Sequence, residues 1–134
     1  MNAYVIDTVA LVRYLEDNLP KKASEIFSLA EKNAVKLVIP SIVIGEFFYL
    51  LKSGRLKPVG LMPSASEILS VLYETPFFQV VDMEFPDWQA FLALELPELH
   101  DRMICAVAAS RKAVGIVTSD AEITNQKPVP VIWK

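Results

Sequence analysis

The sequence predicts an α/β fold, a parallel sheet with helices on both faces, and three observations carry that prediction. Short apolar runs rich in Val, Ile and Phe alternate along the chain with segments of helical periodicity. The 134 residues match the common size of one compact domain, so a single domain over 1–134 is expected. With 53% hydrophobic and 22% charged residues and a mean hydropathy of +0.36, the chain carries too much apolar material for disorder. A domain of this size buries enough surface to fold without disulfide staples.

Tyr4-Val5-Ile6 is a short apolar run ending at Asp7, and Leu11, Tyr14 and Leu15 then recur at helical spacing. Pro20 suits the first turn of a second helix, with Ile26, Leu29 and Ala30 inward and Lys21, Lys22, Glu25 and Lys32 towards water. Val35 to Ile39 forms strand two, stopped by Pro40. Ser41 is placed to N-cap a helix that runs to about Lys52, with Gly54 closing it in a left-handed turn. Arg55 to Pro63 reads as a loop, and Pro63-Ser64 opens a helix carrying Ile68, Leu69 and Leu72. Phe77 to Val81 has strand character, and Pro86 to Leu96 reads as helix. Asp101 opens an Ala-rich buried helix to about Lys112, before strand four at Val114 to Thr118 and a last strand at Val129 to Trp133.

Charge and cysteine content narrow the function. Thirteen basic against sixteen acidic side chains give a net charge of −3, so no global positive field attracts nucleic acid and any polyanion must be held locally. The lone Cys105 cannot form an internal bridge, and the first residues lack the zones of a signal peptide, so a cytoplasmic location is expected. The longest apolar stretch, Ile42 to Leu51, is too short to span a bilayer and is interrupted by Glu46, so no membrane role is expected.

Four carboxylates do not behave like surface charges. Asp7 and Asp120 follow strands one and four, at the carboxyl edge where open α/β sheets bind ligands, although an N-cap or turn aspartate also fits each position. Glu46 is surrounded by Ile42, Val43, Ile44, Phe47, Phe48, Tyr49, Leu50 and Leu51, so it must be paired, protonated or bound to a cation unless it emerges on a narrow exposed stripe. The adjacent Gly45 is consistent with close approach of another group. Asp101 at a helix start is compatible with capping alone. Taken together, the four acids fall at one edge of the predicted sheet, where they repel unless a cation neutralises them. Oxygen-only ligands suit Mg²⁺ or Mn²⁺.

Asp7-Thr8-Val9-Ala10-Leu11-Val12-Arg13-Tyr14-Leu15, Val38-Ile39-Pro40-Ser41-Ile42-Val43-Ile44-Gly45-Glu46, His100-Asp101-Arg102-Met103-Ile104-Cys105-Ala106 and Val117-Thr118-Ser119-Asp120 resemble, in order and spacing, the motifs of PIN-domain ribonucleases. Within that family the sequence is most similar in look to the VapC-like toxins of toxin–antitoxin pairs. The resemblance implies a PIN-like α/β/α sandwich with strand order 3-2-1-4-5. It also implies a catalytic metal site of Asp7, Glu46, Asp101 and Asp120, with Thr8 and Thr118 as supporting hydroxyls. Val9 departs from it, standing where the family often has a polar residue. Glu122 reads as a solvated turn acid, with a place in a second metal site as the alternative.

The implied activity is metal-dependent RNA hydrolysis leaving a 5′-phosphate and a 3′-hydroxyl, and four carboxylates suffice for a two-metal mechanism. A VapB-type antitoxin and a second copy of the chain are the implied partners, the dimer being expected through exposed Phe47, Phe48 and Tyr49. Cleavage through paired histidines is excluded because His100 is the only histidine; it reads as flanking a helix start. Cys105 reads as packed, not nucleophilic. Arg13 and Arg102 are the expected RNA contacts, with Lys52, Arg55 and Lys57 as a basic rim. The alternatives are a housekeeping RNA-processing PIN nuclease without antitoxin, and a receiver-like signalling domain using Asp82 as phosphoacceptor.

Overall fold

The computed structural model describes residues 1–54, 64–126 and 129–134, with backbone only at 125 and 126. The expected loop at 55–63, including Arg55 and Lys57, lies outside the described residues. The elements run β1 (Ala3–Ile6), α1 (Thr8–Leu15), α2 (Lys21–Glu31), β2 (Lys36–Pro40), α3 (Ser41–Lys52), α4 (Ala65–Glu74), β3 (Phe78–Val81), α5 (Phe85–Ala93), α6 (Leu99–Ser110), β4 (Gly115–Val117), α7 (Ala121–Gln126) and β5 (Val131–Ile132). All the paired strands are parallel, in the order β3-β2-β1-β4-β5, and helices flank the sheet. This is the predicted order. It differs from the 2-1-3-4-5 order of receiver-type domains, and Asp82 follows the edge strand β3, so the receiver reading is discarded.

β1 lies between β2 and β4, pairing Val5 with Val38 and with Ile116. Val5, Ile6, Leu37, Ile39, Ile116 and Val117 are fully buried because both faces of these central strands are covered. The chain therefore leaves the sheet at the carboxyl ends of β1, β2 and β4 side by side. That edge receives Asp7, the start of α3, and Thr118.

Several local expectations are corrected. Leu29 is 41% exposed, and Ala23, Phe27 and Ala30 form the buried stripe of α2, the i, i+4, i+7 set. Ser41 is the first residue of α3 and Pro40 the N-cap, without a side-chain cap bond, because β2 runs directly into the helix. α5 ends at Ala93, and Leu96 is buried in the extended link to α6. α6 begins at Leu99 with Glu98 as its N-cap, so Asp101 lies within the first turn. Of the aromatic cluster expected at the surface, Phe47 is buried and Phe48 packs edge-on against it at 5.1 Å, leaving only Tyr49 exposed. Gly54 takes the expected left-handed conformation, φ 79°.

Gly115 is required by packing. A Cβ there would strike Ile132 Cδ1, on the strand that borders β4, and stand 2.9 Å from the carbonyl of Pro130, the residue before that strand. Gly115→Ala is expected to push β5 away from β4 and lower stability by about 1–3 kcal/mol, read from the shift of a urea unfolding midpoint.

Candidate active site

Each of the four predicted carboxylates is positioned by a different element. Asp7 is the N-cap of α1: its Oδ1 accepts the Ala10 N–H at 2.9 Å and its Oδ2 accepts the Thr118 hydroxyl. Glu46 projects from α3, accepting the Thr8 hydroxyl at 2.8 Å through Oε1 and meeting His100 Nδ1 at 2.8 Å through Oε2. Asp101 stands in the first turn of α6, its backbone N–H held by the Glu98 carboxylate at 2.7 Å. Asp120 caps α7, its Oδ1 accepting N–H groups from Glu122 and Ile123 at 2.9 and 3.1 Å, while its own N–H donates to Thr118 Oγ1 at 2.9 Å.

The hydroxyls of Thr8 and Thr118 tie this edge together. One path runs from His100 through Glu46 to Thr8, and the preceding residue, Asp7, connects through Thr118 to Asp120. Glu46 is less enclosed than its apolar neighbours imply, its side chain 28% exposed, because it lies on the edge of α3 facing α6. Both environments of the expected dichotomy are therefore present: Glu46 is paired and partly open to water.

Electrostatics shows that the acids sense one another. Burial raises the Asp7 carboxyl from 3.8 to about 6 despite the Thr118 and Ala10 hydrogen bonds, with Asp120 and Glu46 adding to the rise. Asp101 is raised to about 7, first by burial and then by the charges of Asp120, Glu98, Glu122 and Asp7. Glu122 thus contributes negative potential at this edge. Cys105 is fully buried and its thiol is pushed up to about 12 by burial and by Asp101, Asp120 and Asp7, which agrees with a packed role.

Among the described residues, no three His, Cys, Asp or Glu side chains are gathered at metal-binding spacing. The donor chemistry nevertheless fits a hard divalent cation: the four acids offer carboxylate oxygens, and burial and the neighbouring negative charges raise Asp7 to about 6 and Asp101 to about 7. A cation there would remove that repulsion.

The arginines are tied locally. Arg13 Nε donates to the Asn18 side-chain oxygen at 2.6 Å and its guanidinium stacks 5.6 Å from the Trp133 ring. Arg102 Nε donates to the Leu96 carbonyl at 2.8 Å and its guanidinium lies 5.1 Å from the Phe91 ring. Lys52 is exposed at the end of α3, and Val9 is 44% exposed two residues after Asp7. A Cβ on Gly45 would meet nothing, so the protein's own packing does not require that glycine. It lines an open depression of about 440 Å³ with Tyr49, Glu46 and His100.

His100 is the site residue that sequence reasoning missed. It lies inside α6, and its ring joins Glu46 across 54 positions of sequence. Its place beside Asp101 in the third motif was the only signal available.

In overall structure the chain is similar to that in the crystal structure of VapBC2 from Rickettsia felis bound to a DNA fragment from their promoter. The TM-score is 0.70 at 17% identity, covering 98% of this chain and 99% of that one, a likeness of fold. No curated protein matches the sequence. The sequence model of the PIN domain matches residues 4–127, from β1 to the end of α7, and takes in all four acidic positions: the chain belongs to the PIN domain family.

Proposed function

We propose that this protein is a metal-dependent endoribonuclease, using Mg²⁺ or Mn²⁺ at Asp7, Glu46, Asp101 and Asp120, and that it serves as the VapC-like toxin of a toxin–antitoxin pair. PIN domains are generally nucleases, and the observation that supports the finer reading is the electrostatic coupling of Asp7 to Asp120 and Glu46 and of Asp101 to Asp120 and Asp7, four acids carried by separate elements. When bound, a divalent cation supplies charge neutralisation and water activation for phosphodiester hydrolysis. The chain's own residues set the stage for it. Thr118 fixes one Asp7 oxygen and Thr8 fixes one Glu46 oxygen, which orients both carboxylates, while His100 holds the other Glu46 oxygen. Arg13 of α1 and Arg102 of α6 are proposed to meet RNA phosphates.

The similarity to a VapBC2 structure supports a VapB-type antitoxin as partner. Apolar surface for that partner or for a second copy is present on α5, where Phe85 and Leu92 are 74% and 80% exposed, and at Tyr49 of α3. Among the described residues no helix is long and apolar enough to cross a membrane, and a cytoplasmic location is part of the proposal.

The purified protein, freed of any antitoxin, is expected to cleave single-stranded RNA with Mg²⁺ or Mn²⁺ and to stop in excess EDTA. Undiminished cleavage in EDTA contradicts the reading. A cleaving protein that forms no complex with its coexpressed neighbouring gene product is instead a housekeeping nuclease.

A further inference from the structure

Beside the acidic edge lies a groove of about 560 Å³ whose walls include Lys22, Thr118, Ser119, Thr124, Trp133 and Lys134. We propose that it is the track by which a single RNA strand runs away from the cleavage site, an inference that rests on the ribonuclease reading above.

Three observations point there. The first is adjacency: Thr118, fully buried beneath the groove wall, donates to Asp7 and accepts from the Asp120 N–H, so a single side chain links the groove to two of the acids. The second is charge. A chain of net charge −3 with an acidic centre repels a polyanion, and the strand needs cations close to that centre. Lys22 and Lys134 frame this groove, and the Arg13 guanidinium stands 5.6 Å from the Trp133 ring, giving a local positive cluster that net charge conceals.

The third is the indole itself. Bases stack on aromatic side chains with little regard to sequence, and Trp133 lines the groove together with Lys22 and Lys134. The backbone that carries it is anchored, because the Trp133 carbonyl accepts the Ala23 N–H at 3.1 Å, which ties the end of the sheet to the start of α2 and sets Lys22 beside it. Ammonium groups around an aromatic ring, beside the acidic edge, match a sugar–phosphate strand with its base. An acidic peptide would pair the lysines but has no need of a place next to the acids.

The test uses the full chain and a fluorescein-labelled oligouridine of about 12 nucleotides, within the span of single-strand binding sites. Steady-state cleavage with Mg²⁺ is compared for wild type, Lys22→Glu, Lys134→Glu and Lys32→Glu. The last makes the same charge change at the far end of α2, about 15 Å along the helix from Lys22. Lys22→Glu and Lys134→Glu are each expected to raise KM about tenfold, with the deficit shrinking as the oligonucleotide is shortened. In an Asp7→Asn background, where binding is read by anisotropy, each should flatten the salt dependence by about 0.7 in log–log slope. Lys32→Glu should stay within about twofold of wild type.

A wild type that cleaves, with Lys22→Glu and Lys134→Glu no worse than Lys32→Glu, overturns the groove and leaves the nuclease reading standing. Loss of a coexpressed protein partner with RNA KM unmoved also overturns it, and identifies a protein interface. A wild type that neither binds nor cleaves RNA overturns both.

Discussion

Asp7→Asn should move stability and activity in opposite directions. In the metal-free protein the Asp7 carboxyl is buried and raised from 3.8 to about 6, so the folded state holds its proton more tightly than the unfolded chain. Stability from this group therefore falls as pH rises from about 3.8 through about 6 and is level above that, a cost of about 3 kcal/mol at pH 8. Asparagine removes the charge yet can still accept the Ala10 N–H as an N-cap. Urea unfolding in EDTA should show Asp7→Asn about 1–3 kcal/mol more stable than wild type at pH 8, the advantage vanishing near pH 4. RNA cleavage should fall by about 10²–10³-fold or more, the scale on which losing one preorganised electrostatic group acts. A variant less stable than wild type at pH 8 would make Asp7 a helix cap and nothing more.

Arg111→Met is expected to be among the most damaging substitutions outside the site, at about 3–5 kcal/mol. Asp87, 2% exposed in α5, accepts Arg111 Nη2 at 2.9 Å, the Glu84 N–H at 2.8 Å and the Ser110 hydroxyl, which locks α5 against the end of α6. Burial alone would raise the Asp87 carboxyl, but Arg111 and the two hydrogen bonds hold it below its ordinary 3.8. Its stabilisation is thus present above pH 3.8 and is lost as pH falls through the lower folded value. Chemical unfolding at pH 7 should show the full loss in Arg111→Met and partial recovery in Asp87→Asn/Arg111→Met, since the double variant leaves no unpaired buried charge.

This pair also shows where the sequence was mute. Asp87 follows Pro86 in a stretch that reads as an ordinary helix start, and its partner is 24 residues away, so no periodicity announces either residue. His100 joining Glu46 is the same kind of long-range contact. Asp7 and Asp120 were legible because an acid at the end of an apolar parallel strand has one place to go, the carboxyl edge. Their order along the chain, with that of Glu46 and Asp101, carried the family resemblance. Inward faces were harder: α2 buries Phe27 instead of Leu29, because two apolar stripes a fraction of a turn apart cannot be ranked until the neighbouring strand is in place. Phe47 and Tyr49 divide between core and surface for the same reason.

The central claim is that four acids from separate elements act as one cation site, and isothermal titration of Mn²⁺ into the metal-free protein tests it directly. Wild type is compared with Glu46→Gln and Asp120→Asn, two residues that share no element and no direct hydrogen bond. If they share an ion, each substitution should weaken Mn²⁺ binding by about tenfold or more, the order expected when a carboxylate serving a bound metal is lost. Binding in both variants that equals wild type would show the acids to be independent caps and pair partners, and would contradict the account.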